Sequence, residues 1–355
     1  MQLDYLIIGQ GISGTWLSYY LEKEGCSFLV IDNGDTNAPS RVAAGIINPV
    51  TGRRYSTTWM AEELWPFLLN AYQVLGDDLQ INAISQKNVL DFFPSPQMRL
   101  GFLQRLEEDN SYISLPQNEN DQHPVLQYEF GYGAVSPVYT AHLENILPTW
   151  RRHLQQTASI HEEVFDAKDL IIHPGKIQYR DITATKIIFC DGAGGADLPW
   201  FSPLPFAPNK GEALLLQTEG LDPSFIYKKG MMLVPLTQPG EWWIGSGYHW
   251  EFNDLLPTDE FRNKTEALLR SWLKVPYTIT GHLAAGRPAT LERRPFVGTH
   301  PIHPAIGILN GMGTKGCSLA PYFARQLTDH LLYNKPIHPE ADVKRFTKTL
   351  SRIRP

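Results

Sequence analysis

Three groups of residues in this chain have types and spacings that bear chemistry. The first is Gly9-Gln-Gly11-Ile-Ser-Gly14, a G-x-G-x-x-G run. In that pattern the first glycine makes a tight turn, the second lets a diphosphate approach the backbone, and the third lets a helix pack closely on a strand. Ile12 and Ser13 then offer first-turn N–H groups, and the partial positive charge of a helix start, to the phosphates. Asp32, with Asn33 beside it, closes the next apolar run. A carboxylate there accepts hydrogen bonds from ribose hydroxyls and disfavours a 2′-phosphate. An ordinary glycine turn with a solvated aspartate would lack the flanks found here, an apolar strand-like run before it and a helical pattern after it. The second group is Asp191 and Gly192, which follow the apolar run KIIFC at 186–190. The third is Gly311, Gly313, Thr314, Lys315 and Gly316, a glycine-rich turn leading into a helical pattern. The fingerprint by itself does not separate NAD from FAD. Two further glycine segments far downstream suit a long ligand spanning a domain better than a nicotinamide cofactor served by one βαβ unit.

The elements that must position these residues can be read in outline. Residues 3–8 are short and apolar, Leu17 and Leu21 lie one helical turn apart, and Gly25 stands where a helix C-cap glycine belongs. Residues 28–31 form a second buried strand, so the chain opens as a βαβ unit, which implies a parallel α/β layer. The middle differs. Residues 211–217, 231–235 and 242–248 read as strands, the last two joined through Gln238-Pro-Gly240, and this is antiparallel material. Pro257-Thr-Asp-Glu260 starts a helix that carries Phe261, Leu268 and Trp272 on one face. Leu319, Phe323, Leu327 and Leu331 recur every four residues in a last amphipathic helix. The polar stretch 116–123 reads as a surface loop.

Composition sets the outer bounds. A chain of 355 residues with 43% apolar and 19% charged residues can build a sizeable core. A net charge of −6 without a basic run argues against general binding of nucleic acid or anionic membrane. Three cysteines (Cys26, Cys190, Cys317) give no disulfide framework, which fits a reducing compartment. No apolar run approaches membrane-spanning length, and the start does not resemble a signal peptide. The expectation is a cytoplasmic globular protein. The histidines are scattered and no ligand spacing for a metal is visible.

Together the three glycine segments resemble those of the FAD-dependent amine and amino-acid oxidases of the D-amino-acid oxidase, glycine oxidase and sarcosine oxidase superfamily. The resemblance covers most of the chain and is strongest at 3–50 and 281–325. Ser40-Arg-Val-Ala-Ala44-Gly45 resembles the small-residue segment that those enzymes lay along the flavin ring. Residues 206–211 (FAPNKG) resemble the family's step into its substrate lobe, and residues 284–298 resemble the segment with the substrate-carboxylate arginine, here Arg287. Val164, placed in an apolar strand before the 186–190 strand, would pair its backbone with adenine. The resemblance implies an α/β fold: a Rossmann-like FAD-binding domain with a parallel sheet (1–80, 140–205 and 281–355) and an inserted α+β substrate domain with an antiparallel sheet (81–139 and 206–280). It implies oxidation of a small amine or amino acid by hydride transfer to flavin, hydrolysis of the imine, and reoxidation by oxygen or a carrier. A planar guanidinium at Arg287 would bind a carboxylate bidentately, unless it is taken by an acid such as Glu292. The helix start at Gly316, with Lys315, would stabilise negative charge on the flavin.

Two departures from the family pattern stand out. Thr314 occupies the place of a second arginine found in glycine-oxidase-like relatives, so substrate anchoring differs. No cysteine lies where sarcosine-oxidase-like relatives attach flavin, so the FAD is expected to be non-covalent. Tyr248 and His249, with Trp250, would line the pocket over the flavin or simply pack. Arg53 and Arg54 are either surface charge or reach substrate or diphosphate, and Cys317 reads as a small packing thiol. Rival readings are a dehydrogenase that passes electrons to a carrier or quinone, the flavin domain of a tRNA wobble-uridine modification system, and a non-catalytic flavin-binding protein. No direct nucleic-acid contact is expected.

Overall fold

The apolar run at the start forms a strand because it has a sheet to enter on both sides. In the computed structural model, which describes residues 1–352, Gln2–Ile8 (β1) lies between Phe28–Ile31 (β2) and Ile182–Phe189, parallel to both. Ile8 is level with Ile31 on one side and with Phe189 on the other. Ile160–His161 extends the parallel run beyond β2, and Ile306–Asn310 extends it beside Ile182–Phe189. Parallel strands buried on both faces read as near-continuous apolar runs, as FLVI and ILN-ending IGILN do here. Two antiparallel additions complete the sheet. Phe296–Thr299 pairs with Ile306–Asn310, and the hairpin of Leu170–His173 and Lys176–Tyr179 pairs with the first part of Ile182–Phe189.

Between β1 and β2 runs the helix Ile12–Lys23 (α1), buried from Ile12 to Leu21 and packed against the last long helix, Gly316–Tyr333. It stops as its sequence predicts. Gly25 has φ +72°, its N–H bonds Glu22 O at 2.9 Å, and Cys26 N bonds Leu21 O at 3.0 Å, a Schellman end. Leu319, Phe323 and Leu327 of the last helix are buried, whereas Leu331 is only half-buried.

The chain divides into two compact units, 1–41 with 143–209 and 286–355, and 42–142 with 210–285. The first crossing comes at 41 rather than near 80. The reason lies in pairing: Ile46–Ile47 is a strand against Tyr139–Ala141, and Val42 O accepts Trp243 Nε1 at 2.9 Å. The second unit holds an eight-stranded sheet with the order Thr278–Arg287, Asn209–Gln217, Glu241–Gly245, Met231–Pro235, Phe225–Lys229, Asn88–Phe92, Tyr132–Val135, Ile113–Ser114. Asn209–Gln217 through Phe225–Lys229 pair antiparallel as expected, as do Asn88–Phe92 through Ile113–Ser114, but Phe225–Lys229 runs parallel to Asn88–Phe92. The helix Asp259–Trp272 buries Phe261, Thr265, Leu269 and Trp272 on this unit's core, with Leu268 at the margin of that face.

Candidate functional site

Four of the first unit's five parallel strands end at one edge of the sheet with a sequence-predicted residue just beyond them. Gly9 follows β1, Asp32 follows β2, Asp191 lies two residues after Ile182–Phe189, and Gly311 follows Ile306–Asn310. Open parallel sheets bind ligands at the carboxyl ends of their strands, which is this edge.

The glycine fingerprint is built for close approach. Gly9 has φ +96°, and a Cβ on it would sit 2.7 Å from Cys190 O. A Cβ on Gly14 would run into the Gly9 carbonyl oxygen. Gly11 is the N-cap of α1, and no side chain of its own caps the helix. Instead Ile12 N donates to Ser40 Oγ at 3.0 Å, which brings the predicted Ser40 onto the fingerprint. Ser13 is buried in the same first turn. A second helix start lies alongside: a Cβ on Gly316 would stand 3.2 Å from Ile12 Cγ2. This helix also lacks a side-chain cap, and Lys315 precedes it. Burial pulls the Lys315 ammonium down to about 8.

Asp191 and Asn310 close the middle of the edge. Asn310 Nδ2 donates to Gly192 O at 2.8 Å and to Asp191 Oδ1 at 3.2 Å, while Asn310 Oδ1 accepts Gly311 N at 2.7 Å. Burial pushes the Asp191 carboxyl up to about 7. Gly311 and Gly313 take left-handed φ values of +77° and +55°, with Thr314 in the short turn Gly313–Lys315. Gly313 N donates to Pro288 O at 3.1 Å, so the segment after Arg287 sits on this turn. Arg287 ends its strand with Nη1 donating to Asn209 Oδ1 at 2.8 Å. Glu292, the acid weighed as its partner, accepts from Arg345 Nε at 3.3 Å.

Just after β2, Asp32 is held by Gln10 N, Gly34 N and Arg151. These contacts hold its carboxyl below the usual range, although burial opposes them. Asn33 is exposed, and its Oδ1 accepts Asp35 N at 3.1 Å in a local turn. Val164 requires a correction. The strand before it is only Ile160–His161, and Val164 lies in the loop beyond with 70% of its surface exposed. Two charged residues, Glu162 and Glu163, follow Ile160–His161, and the chain leaves the sheet before it reaches Val164.

Ala44, Gly45, Tyr248 and His249 belong to the second unit. A Cβ on Gly45 would run into Ala141 O, and Ala141 N bonds Gly45 O at 2.9 Å, while Ala44 packs on a core cluster. Tyr248 is 52% exposed. His249 exchanges both backbone hydrogen bonds with Lys210, at 2.9 and 3.0 Å. Its Nε2 lies 3.8 Å from Glu212 Oε1. Glu212 is a fully buried carboxylate that accepts from Thr258 N at 2.7 Å, Thr258 Oγ1 at 2.9 Å and His282 Nε2 at 3.0 Å. Lys210 Nζ lies 3.9 Å from it and 3.5 Å from Asp254. Sequence reading missed Gln10, Arg151, Asn209, Glu212 and Asn310. Gln10 and Asn209 lie inside quoted glycine segments and Glu212 and Asn310 directly beside them, whereas Arg151 carried no local signal. The described residues contain no group of three or more His, Cys, Asp or Glu fit to hold a metal ion, and no helix among them is long and apolar enough to cross a membrane.

A helix start with one first-turn N–H taken by Ser40, glycines where any side chain would fill the cradle, and a second helix start without a side-chain cap beside it fit a diphosphate-bearing dinucleotide. Comparison with known proteins agrees. Glycine oxidase of Pseudomonas putida is 24% identical over 375 residues, covering 95% of this chain and 96% of that one. Two solved structures share the fold. Glycine oxidase from Geobacillus kaustophilus has a TM-score of 0.76 at 17% identity over 95% of this chain and 96% of its own. L-proline dehydrogenase from P. horikoshii has a TM-score of 0.75 at 16% identity over 98% of both chains. The family model of the FAD dependent oxidoreductases (DAO) matches residues 4–330. With a glycine cradle and paired helix starts at one sheet edge, and a family match over nearly its whole length, the chain belongs to the DAO family of FAD-dependent oxidoreductases.

Proposed function

We propose that the chain oxidises a small amine or amino acid that carries a carboxylate, using non-covalently bound FAD. The observation that carries this reading is Arg287. It ends its strand one residue before Pro288, whose carbonyl receives the N–H of Gly313, and its guanidinium is aligned by the buried amide of Asn209 at 2.8 Å. A guanidinium bound to a carboxylate orients the adjacent C–H, and positioning is the protein's main task in such a reaction. FAD, when bound, accepts the hydride equivalent that the substrate loses. The chain's own residues do the rest. Arg287 holds the carboxylate, and the amide of Asn209 steers Arg287. The starts of α1 and of Gly316–Tyr333, with Lys315, would hold the cofactor's negative charge. The substrate gives up its α-C–H as hydride and its N–H as a proton to solvent, a C=N bond forms, and water releases the amine. Oxygen or a carrier takes the electrons onward. In this reading the first unit binds FAD and the second, which carries Tyr248 and His249, is the substrate lobe.

The test is anaerobic bleaching of the bound flavin against a panel of amino acids and N-methyl amino acids, followed by peroxide assay in air. At least one member should bleach it rapidly. For that substrate, Arg287→Ala should raise the half-saturating concentration by one to two orders of magnitude, because a hydrogen bond to a charged group contributes about 1.5–3 kcal/mol. Arg287→Lys should not restore it. A flavin that no amine reduces would overturn the reading.

A further inference from the structure

Asp32 stands where the adenosine ribose of a dinucleotide is reached, and most of its accepting capacity is already used inside the protein. Oδ2 accepts Gln10 N at 2.8 Å. Oδ1 accepts Gly34 N at 2.9 Å and Arg151 Nη1 at 2.6 Å. An ionised carboxylate offers about four lone-pair positions, so the second position on Oδ2 is the one left over. Arg151 comes from the helix Leu143–Gln156 and its side chain is only 11% exposed. The same guanidinium reaches Gln10 Oε1 at 3.3 Å, Glu162 at 3.0 and 3.1 Å, and the Asp32 carbonyl at 3.5 Å. Gln10 is itself locked, with Nε2 donating to Thr15 Oγ1 at 3.0 Å and Leu147 O at 3.2 Å. Arg41 stands further off, 3.7 Å from Asp32 Oδ1.

We propose that Arg151 is the positioning residue of the ribose-binding carboxylate: it fixes the Asp32 side chain so that one acceptor position, on Oδ2, meets one hydroxyl of the adenosine ribose. The proposal rests on the reading of Asp32 as the ribose acceptor. Backbone N–H groups take one position on each oxygen and leave the second positions open. A planar guanidinium that bonds Asp32 on one edge and Glu162 on the other closes the open position on Oδ1 and braces the carboxylate, so that only Oδ2 has a position to offer, and a lysine cannot span both. In this role Arg151 acts through Asp32, and that separates it from a brace that merely ties a helix to the sheet.

A double-mutant cycle on the full chain, stripped of flavin and titrated with FAD by quenching of flavin fluorescence, tests it. Arg151→Ala and Asp32→Ala should each weaken FAD binding by about tenfold, and the double variant should be within about twofold of Asp32→Ala alone, since residues acting as one unit are not additive. Arg151→Lys should recover only part of the loss. Should Arg151→Ala fail to fold, Glu162→Ala gives the same information: it should weaken FAD about two- to threefold with Asp32 present and leave the Asp32→Ala background unchanged. Losses that multiply in the double variant, or an Arg151→Ala chain with unchanged FAD affinity, would overturn the proposal. An Asp32→Ala chain that binds FAD normally would instead remove the ribose assignment on which it rests, and the proposal with it.

Discussion

A carboxyl group enclosed between Cys190 and a glycine turn behaves unlike a surface aspartate, and Asp191 shows the consequence. Its burial pushes the pKa from the ordinary 3.8 to about 7, so the folded chain holds a proton that the unfolded chain releases. The sign follows from linkage. Between about pH 4 and 7 the native state binds more protons than the unfolded state, so stability falls as pH rises through that window. Asp191→Asn keeps the hydrogen bonds and removes the ionisation. The thermal midpoint of the flavin-free variant should therefore change less between pH 4 and 7 than that of the parent. The type of residue at 191 was legible in the sequence, but its burial was not. Gly9, Gly11 and Gly14 were legible as a motif, but only the constraint on Gly14 is local, its Cβ striking the Gly9 carbonyl, whereas Gly9 is crowded by Cys190 O and Gly11 by Ser40 Oγ. Arg151 was illegible, since the carboxylate it fixes lies 119 residues away and an arginine in a polar helix face looks like a solvated charge.

At the scale of elements, the helix Asp259–Trp272 shows how far a start signal reaches. Thr258 Oγ1 accepts Phe261 N at 3.3 Å, the cap that Pro257-Thr-Asp-Glu260 predicts. The same hydroxyl also donates to the buried Glu212, which arrives from the strand Asn209–Gln217. Thr258→Ala therefore removes a cap and leaves a buried carboxylate short of a donor. The loss should exceed the roughly 1 kcal/mol of a cap alone and reach about 2–3 kcal/mol, read from urea unfolding. Thr258→Ser should recover most of it. The strands showed the same division of legibility. Pairing of Met231–Pro235 with Glu241–Gly245 was readable because a tight turn links them, whereas the parallel pairing of Phe225–Lys229 with Asn88–Phe92 joins segments too distant to signal each other.

At the scale of the whole molecule, cofactor binding and folding are linked. A ligand at a hundred times its Kd adds about 2.7 kcal/mol to the stability of the state that binds it. Added FAD should thus raise the thermal midpoint of the flavin-free chain in a concentration-dependent way. Gly14→Ala, whose methyl would collide with the Gly9 carbonyl, should abolish that rise. The discontinuous organisation itself was legible, since both ends of the chain carry glycine turns and the middle carries hairpins. The crossing at residue 41 was not, because it depends on Ile46–Ile47 finding Tyr139–Ala141, and a two-residue strand carries no periodicity.

By itself the amino-acid order determined where the backbone must lack side chains, where helices begin, and that a parallel layer opens the chain, since steric limits and local hydrogen bonding act between near neighbours. Only the tertiary structure decided which groups meet: Asn209 with Arg287, Arg151 with Asp32, Asn310 with Asp191 and Gly192. Those meetings depend on chain closure over long separations, and burial then alters the chemistry of the groups it encloses.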